Sequence, residues 1–157
     1  MTELIHTFKV DASYHLKRKV TGIGIVIHET DKPGKNGIVI DEISELYFDI
    51  PANAAEKFAV FRALEIASER NYEIVRIRSD YNYMRRQLKE DHKMNTGHER
   101  DDLHGLILRF AKKFKEVKFL YQPRRKNQAA HRLARKAVEE LIPQKRVILP
   151  TQMSRVI

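Results

Sequence analysis

A chain of 157 residues, 42% of them hydrophobic, can build one folded core and is short for a multidomain machine. Thirty Lys+Arg against 21 Asp+Glu leave a net charge of +9, which favours a polyanionic partner, with nucleic acid first among them. The absence of cysteine excludes disulfides, thiolate zinc sites and cysteine nucleophiles and fits a reducing, cytoplasmic setting, and no apolar run approaches the ~18–20 residues of a membrane span.

In chain order, three β-rich stretches come first: His6 to Asp11, Gly22 to Glu29 and Gly37 to Ile50, the last two separated by the turn-forming DKPGKNG. Their spacing predicts an antiparallel meander. Pro51 stops the third strand, and from Asn53 the apolar positions Phe58, Phe61, Leu64 and Ala67 recur at helical spacing. The β-branched run Glu73 to Arg78 predicts a fourth strand, followed by a short helix near Tyr83 to Lys89 and a polar loop holding His92, His98 and Arg100. A helix from Asp101 to Lys115, a strand from Val117 to Gln122 and a helix from Asn127 to Leu141 complete the pattern. Ala130, Leu133, Ala137 and Leu141 are the expected buried stripe of that last helix. The result is an α/β domain over residues 1–142 with the order βββαβααβα. Residues 143–157, with Pro143, Pro150 and Lys145-Arg146, are expected to form an extended tail.

This order constrains where functional groups meet. In a meander the first and third strands share a direction, and a helical crossover lays the fourth strand parallel to the first. Asp11 and Asp80, at the ends of the first and fourth strands, then share one edge of the sheet about 4.8 Å apart. Glu56, in the first turn of the first helix, and His131, near the start of the last, have access to the same edge. Carboxylates so close need a shared proton or a cation, and an all-oxygen cluster suits Mg²⁺ or Mn²⁺, two of which can serve phosphodiester hydrolysis.

Four segments carry a family resemblance: KVDASY around Asp11, NAAEKFAVFRALEIA around Glu56, IRSDYNYMRRQL around Asp80 and RRKNQAAHRLARKA around His131. In this order, on these elements, they resemble the type 1 ribonuclease H family in its compact, reverse-transcriptase-like branch. The resemblance implies a ribonuclease H-like fold with a five-stranded mixed sheet flanked by helices. It also implies cleavage of the RNA strand of RNA–DNA hybrids by two divalent ions, Mg or Mn, with Asp11, Glu56 and Asp80 as acidic ligands. The fourth position departs from the family motif Asn-x-x-Ala-Asp-x-Leu-Ala: here the chain reads Asn127-Gln128-Ala129-Ala130-His131-Arg132-Leu133-Ala134. An imidazole can ligate a metal but brings no negative charge, and it prefers ions softer than Mg²⁺. Ser13, Asn53 and Asn82 stand where the family places small polar groups against nucleic acid. Arg124, Arg125 and Lys126 supply a basic loop for phosphates.

Each of these residues also has a purely structural reading. Asn53 and Glu56 have the spacing of a capping box, Asp11 and Asp80 suit strand ends, and His131 on a basic helix suits a surface. Two functions therefore stand at the level of sequence: a metal-dependent endonuclease, or a nucleic-acid-binding module on the same fold whose chemistry the loss of the fourth carboxylate has weakened or disabled. A structural role for the tail is a third. His92, His98 and His104 match no zinc spacing, and Gly22-Ile23-Gly24, inside a strand, lacks the setting of a dinucleotide site.

Overall fold

The computed structural model describes residues 3–141, so the expected tail at 143–157 lies outside the described residues. Five strands form one mixed sheet: β1 (Ile5–His15), β2 (Val20–Thr30), β3 (Ile38–Tyr47), β4 (Ile74–Ser79) and β5 (Glu116–Tyr121), in the spatial order β3-β2-β1-β4-β5. The first three form the expected antiparallel meander, and β4 runs parallel to β1, with β5 parallel to β4 beyond it. Four helices flank the sheet: α1 (Ala55–Glu69), α2 (Lys89–Met94), α3 (Leu103–Ala111) and α4 (Gln128–Glu139). None of the described helices is long and apolar enough to cross a membrane.

The sheet buries both faces. On one, Phe8, Val10, Ile23, Ile25 and Ile27 pack against Phe58, Phe61 and Leu64 of α1, so both phenylalanines are core, as their helical spacing predicts. On the other, α4 lies directly on β2. A Cβ at Gly22 would sit 2.1 Å from the carbonyl oxygen of Ala134, and one at Gly24 would sit 2.0 Å from that of Ala130. The Gly-x-Gly of β2 is thus a window through which helix backbone meets strand backbone. A carbonyl cannot move aside as a flexible side chain can, so the two glycines fix the height of α4 above the sheet.

Several boundaries differ from the sequence expectation. The third strand ends at Tyr47 rather than Ile50, and α3 and α4 stop at Ala111 and Glu139 rather than Lys115 and Leu141. The buried face of α4 is Ala130, Ala134, Ala137 and Val138, because small residues are needed over the glycine window; Leu133 is half-buried and Leu141 exposed. The short helix expected at Tyr83 to Lys89 is a π-helical turn, Met84–Leu88, running straight into α2. His92 is therefore helical and meets the Val117 carbonyl oxygen at 2.9 Å. His104 lies fully buried in α3, where its Nε2–H donates to Asp91 at 2.6 Å and its Nδ1 pairs with the Tyr83 hydroxyl. His92 thus ties α2 to β5 and His104 ties α3 to α2, instead of decorating a loop.

Candidate active site

Asp11 does not end its strand. It sits inside β1, opposite Gly24 of β2, two residues past Lys9, the last β1 residue paired with β4. Asp80 follows directly after the final β4 residue, Ser79. Because β4 stops here while β1 continues, the sheet has a notch at this edge, and the two carboxylates face each other across it. Glu56 enters from the first turn of α1, which a 3₁₀ turn at Ala52–Ala54 leads in. Ligand-capable oxygens of Asp11, Glu56 and Asp80 lie within 4.8 Å of one another. The capping box is not formed: Ala54 is the N-cap, no side chain caps the helix, and Asn53 is exposed in the preceding turn. The 3₁₀ turn moves the helix start one residue past the expected cap, which frees Glu56 to reach the strands.

The electrostatics of this trio are unfavourable as they stand. Burial, the charges of Asp11 and Asp80 and a hydrogen bond shared with Asp11 push the Glu56 carboxyl up to about 9, against one opposing hydrogen bond from the Ala12 backbone. Glu56 Oε2 is buried with no hydrogen-bond partner. Asp80 is also raised, by burial and by Asp11, with Arg124 and His131 pulling in the opposite direction. Asp11 itself is only 5% exposed. An orphaned carboxylate oxygen among three clustered carboxyl groups is what a hard divalent cation satisfies, so the donor set fits Mg²⁺ or Mn²⁺.

His131 faces this cluster, on the first turn of α4. Its Nδ1 is 2.8 Å from Asp11 Oδ2 and its Nε2 is 3.3 Å from an Arg124 guanidinium nitrogen. Arginine only donates, so Nε2 accepts and Nδ1–H donates to Asp11. Both ring nitrogens are engaged, and His131 borders the acidic cluster as the hydrogen-bond partner of Asp11. It could become a metal ligand only by giving up one of these bonds.

Asn127 sets this placement, a role its spacing alone did not reveal. It is 1% exposed, its Nδ2 donates to the Val10 carbonyl at 2.8 Å, and its Oδ1 accepts from Gln122 Nε2 at 2.9 Å. The start of α4 is thereby clamped to the strand residue just before Asp11. The available signal was an asparagine at a helix start among basic residues, which also suits a cap; no capping bond is made. The remaining candidates divide by position. Ser13 is half-buried on β1 opposite Gly22, on the same strand face as Asp11. Asn82, Arg125 and Lys126 are exposed, as is Arg124. Arg124 and Lys126 bound a 3₁₀ turn beside the start of α4.

The reverse transcriptase-like family model matches residues 9–137, most of the chain and all four site segments. No curated protein matches it. Among solved structures it is similar to the N-terminal RNase H domain of a Mycobacterium tuberculosis protein, at 18% identity and a TM-score of 0.67 over 88% of this chain and 96% of that one. It is similar to RNase H1 of Halobacterium salinarum at 20% identity and a TM-score of 0.64, over 88% and 98% of the two chains. LC11-RNase H1, solved in complex with an RNA/DNA hybrid, matches at 24% identity and a TM-score of 0.65, over 89% and 99%.

Proposed function

The chain belongs to the reverse-transcriptase-like branch of the ribonuclease H family, and from that premise we propose that it cleaves the RNA strand of RNA–DNA hybrids endonucleolytically, dependent on Mg²⁺ or Mn²⁺. The observation that carries the reading is the convergence of Asp11, Glu56 and Asp80, from two strands and a helix, with a buried Glu56 oxygen left unpartnered.

Asp11, Glu56 and Asp80 would hold the ions, with His131 as the fourth candidate ligand. Paired divalent ions supply, when bound, an activated water and stabilisation of the leaving oxygen. The chain's own groups do the rest. His131 Nδ1–H orients Asp11, and Arg124, beside both Asp80 and His131, places a guanidinium where a phosphodiester must approach. Arg125 and Lys126 extend that charge, and Ser13, Asn53 and Asn82 present small polar groups to an A-form-like backbone and its 2′-hydroxyls. Recognition of this kind is independent of base sequence.

The test is cleavage of a labelled RNA–DNA hybrid, with single-stranded RNA and duplex DNA as controls, in Mg²⁺ and separately in Mn²⁺. Hybrid-specific cutting that Asp11→Asn and Asp80→Asn both abolish, with unchanged melting behaviour, is the expected result; cutting by Asp80→Asn at the wild-type rate would remove the metal assignment. The engagement of His131 with Asp11 and Arg124 favours one second reading, a binding module of weak or absent activity. A wild-type protein that binds hybrid without cutting, and a His131→Asp variant that gains Mg²⁺-dependent cleavage, would select it.

A further inference from the structure

Two residues before each central aspartate stands a cation: Lys9-Val10-Asp11 on β1 and Arg78-Ser79-Asp80 at the end of β4. Lys9 and Arg78 are direct partners in the parallel register, on neighbouring strands about 4.8 Å apart. Lys9 lies opposite Val26 and Asp11 opposite Gly24, so both belong to the α4 side of the sheet. Lys126 joins them from the 3₁₀ turn before α4, near enough to act electrostatically on Lys9. The same Asn127 clamp to the Val10 carbonyl holds that turn in place. Three cations thus meet on one face, next to the carboxylate notch.

Like charges at adjacent strand positions repel, and a folded chain usually offsets them with acids. The neighbouring pair does so: Arg76 and Lys118 reach Glu116 at 3.2 and 3.6 Å. Arg62, more deeply buried, is met by Glu45 at 2.8 Å. Among the described residues, Lys9, Arg78 and Lys126 form no ion pair and no side-chain hydrogen bond, and Arg78 Nε is buried with no hydrogen-bond partner. His28, which faces Lys9 and Arg78 from β2, adds no negative charge, and its Nδ1 is likewise unpartnered. The group missing from this arrangement is an anion with several acceptor oxygens.

We propose that Lys9, Arg78 and Lys126 form a subsite for one backbone phosphate of the bound nucleic acid, on the α4 side of the sheet beside the carboxylates. This rests on the nucleic-acid reading above and adds to it a fixed point that sets the register of the strand relative to the notch. A single phosphate touching all three cations is held through charge-assisted hydrogen bonds, with the planar Arg78 fork giving direction and the lysines adding charge.

The experiment measures hybrid binding by fluorescence anisotropy across a salt series, without divalent ions, for the wild type, Lys9→Gln/Arg78→Gln, the exposed Lys126→Gln, and Lys115→Gln. Lys115 is paired with Glu3 and controls for loss of one charge. The expected result is a log K against log salt slope smaller by about 1 and affinity lower by about tenfold for the double variant. Lys126→Gln, whose side chain is exposed and outside the core, moves the same way to a lesser degree, and Lys115→Gln stays at the wild-type value. A wild type that binds with its full slope while the double variant and Lys126→Gln match it would overturn the subsite and leave the nucleic-acid reading standing. A wild type that does not bind hybrid would overturn both. In a parallel arm, inorganic phosphate that raises the melting temperature of the wild type alone, with hybrid binding equal in all variants, would reassign the cluster to a free anion.

Discussion

Glu56 illustrates how one side chain can be chosen against the stability of its own fold. Its folded carboxyl holds a proton up to about 9, whereas an unfolded glutamate releases it near 4.5. Between these values the native state binds more protons than the unfolded state, so its stability is full below 4.5 and falls as the pH rises toward 9. Glu56→Gln cannot ionise in either state. In metal-free buffer it flattens this decline and is more stable than the wild type at pH 8, by on the order of 2 kcal/mol, as thermal melts across pH 5–9 would register. Mg²⁺ or Mn²⁺ then raises the melting temperature of the wild type by more than that of the variant. A wild-type curve as flat as that of Glu56→Gln would contradict this account. The clustering of the trio was legible in the sequence, because the order of elements brings β1, the end of β4 and the start of α1 to one edge of the sheet, although Asp11 stands inside its strand and not at the end. The contacts of His131 and the clamp by Asn127 were not: helix phase decides where a residue points, and one position of error turns it by about 100°.

At the scale of the element, α4 depends on what β2 lacks. Gly24→Ala would place a methyl group 2.0 Å from the Ala130 carbonyl oxygen, and Gly22→Ala repeats the clash at Ala134. Backbone on both sides leaves no rotamer that relieves it, so α4 must lift. Each substitution is expected to cost at least about 2–3 kcal/mol in urea unfolding and to broaden the amide resonances of α4. The order of elements was readable from periodicity and turn residues, while their ends were not. β3 stops before Pro51, α1 starts past Asn53, and the face of α4 is set by small residues over glycines, a tertiary demand with no echo in helical spacing. In the same way Gly22 and Gly24 looked inert as a nucleotide motif, and their meaning appeared only with the helix seated on them.

For the whole molecule, a net charge of +9 pointed to a polyanion, but only the fold shows how the charge is distributed. Some cations are neutralised in place, as Arg62 is by Glu45, and others, such as Lys9, Arg78 and Arg125, meet no acid among the described residues. The site is also assembled from distant parts of the chain. His131 and Asp11 are 120 residues apart, and Asn127 reaches Val10 over 117. During synthesis the strand bearing Asp11 emerges well before the helix that completes its surroundings, so a nascent chain that still lacks α4 cannot carry a finished site. Closing so long a loop is slow, and the repulsion among the carboxyl groups is met only when the rest of the domain is in place. A cation seated there acts on the exit from the native state and not on the entry: it is a brake on unfolding, applied after the chain has already found its shape.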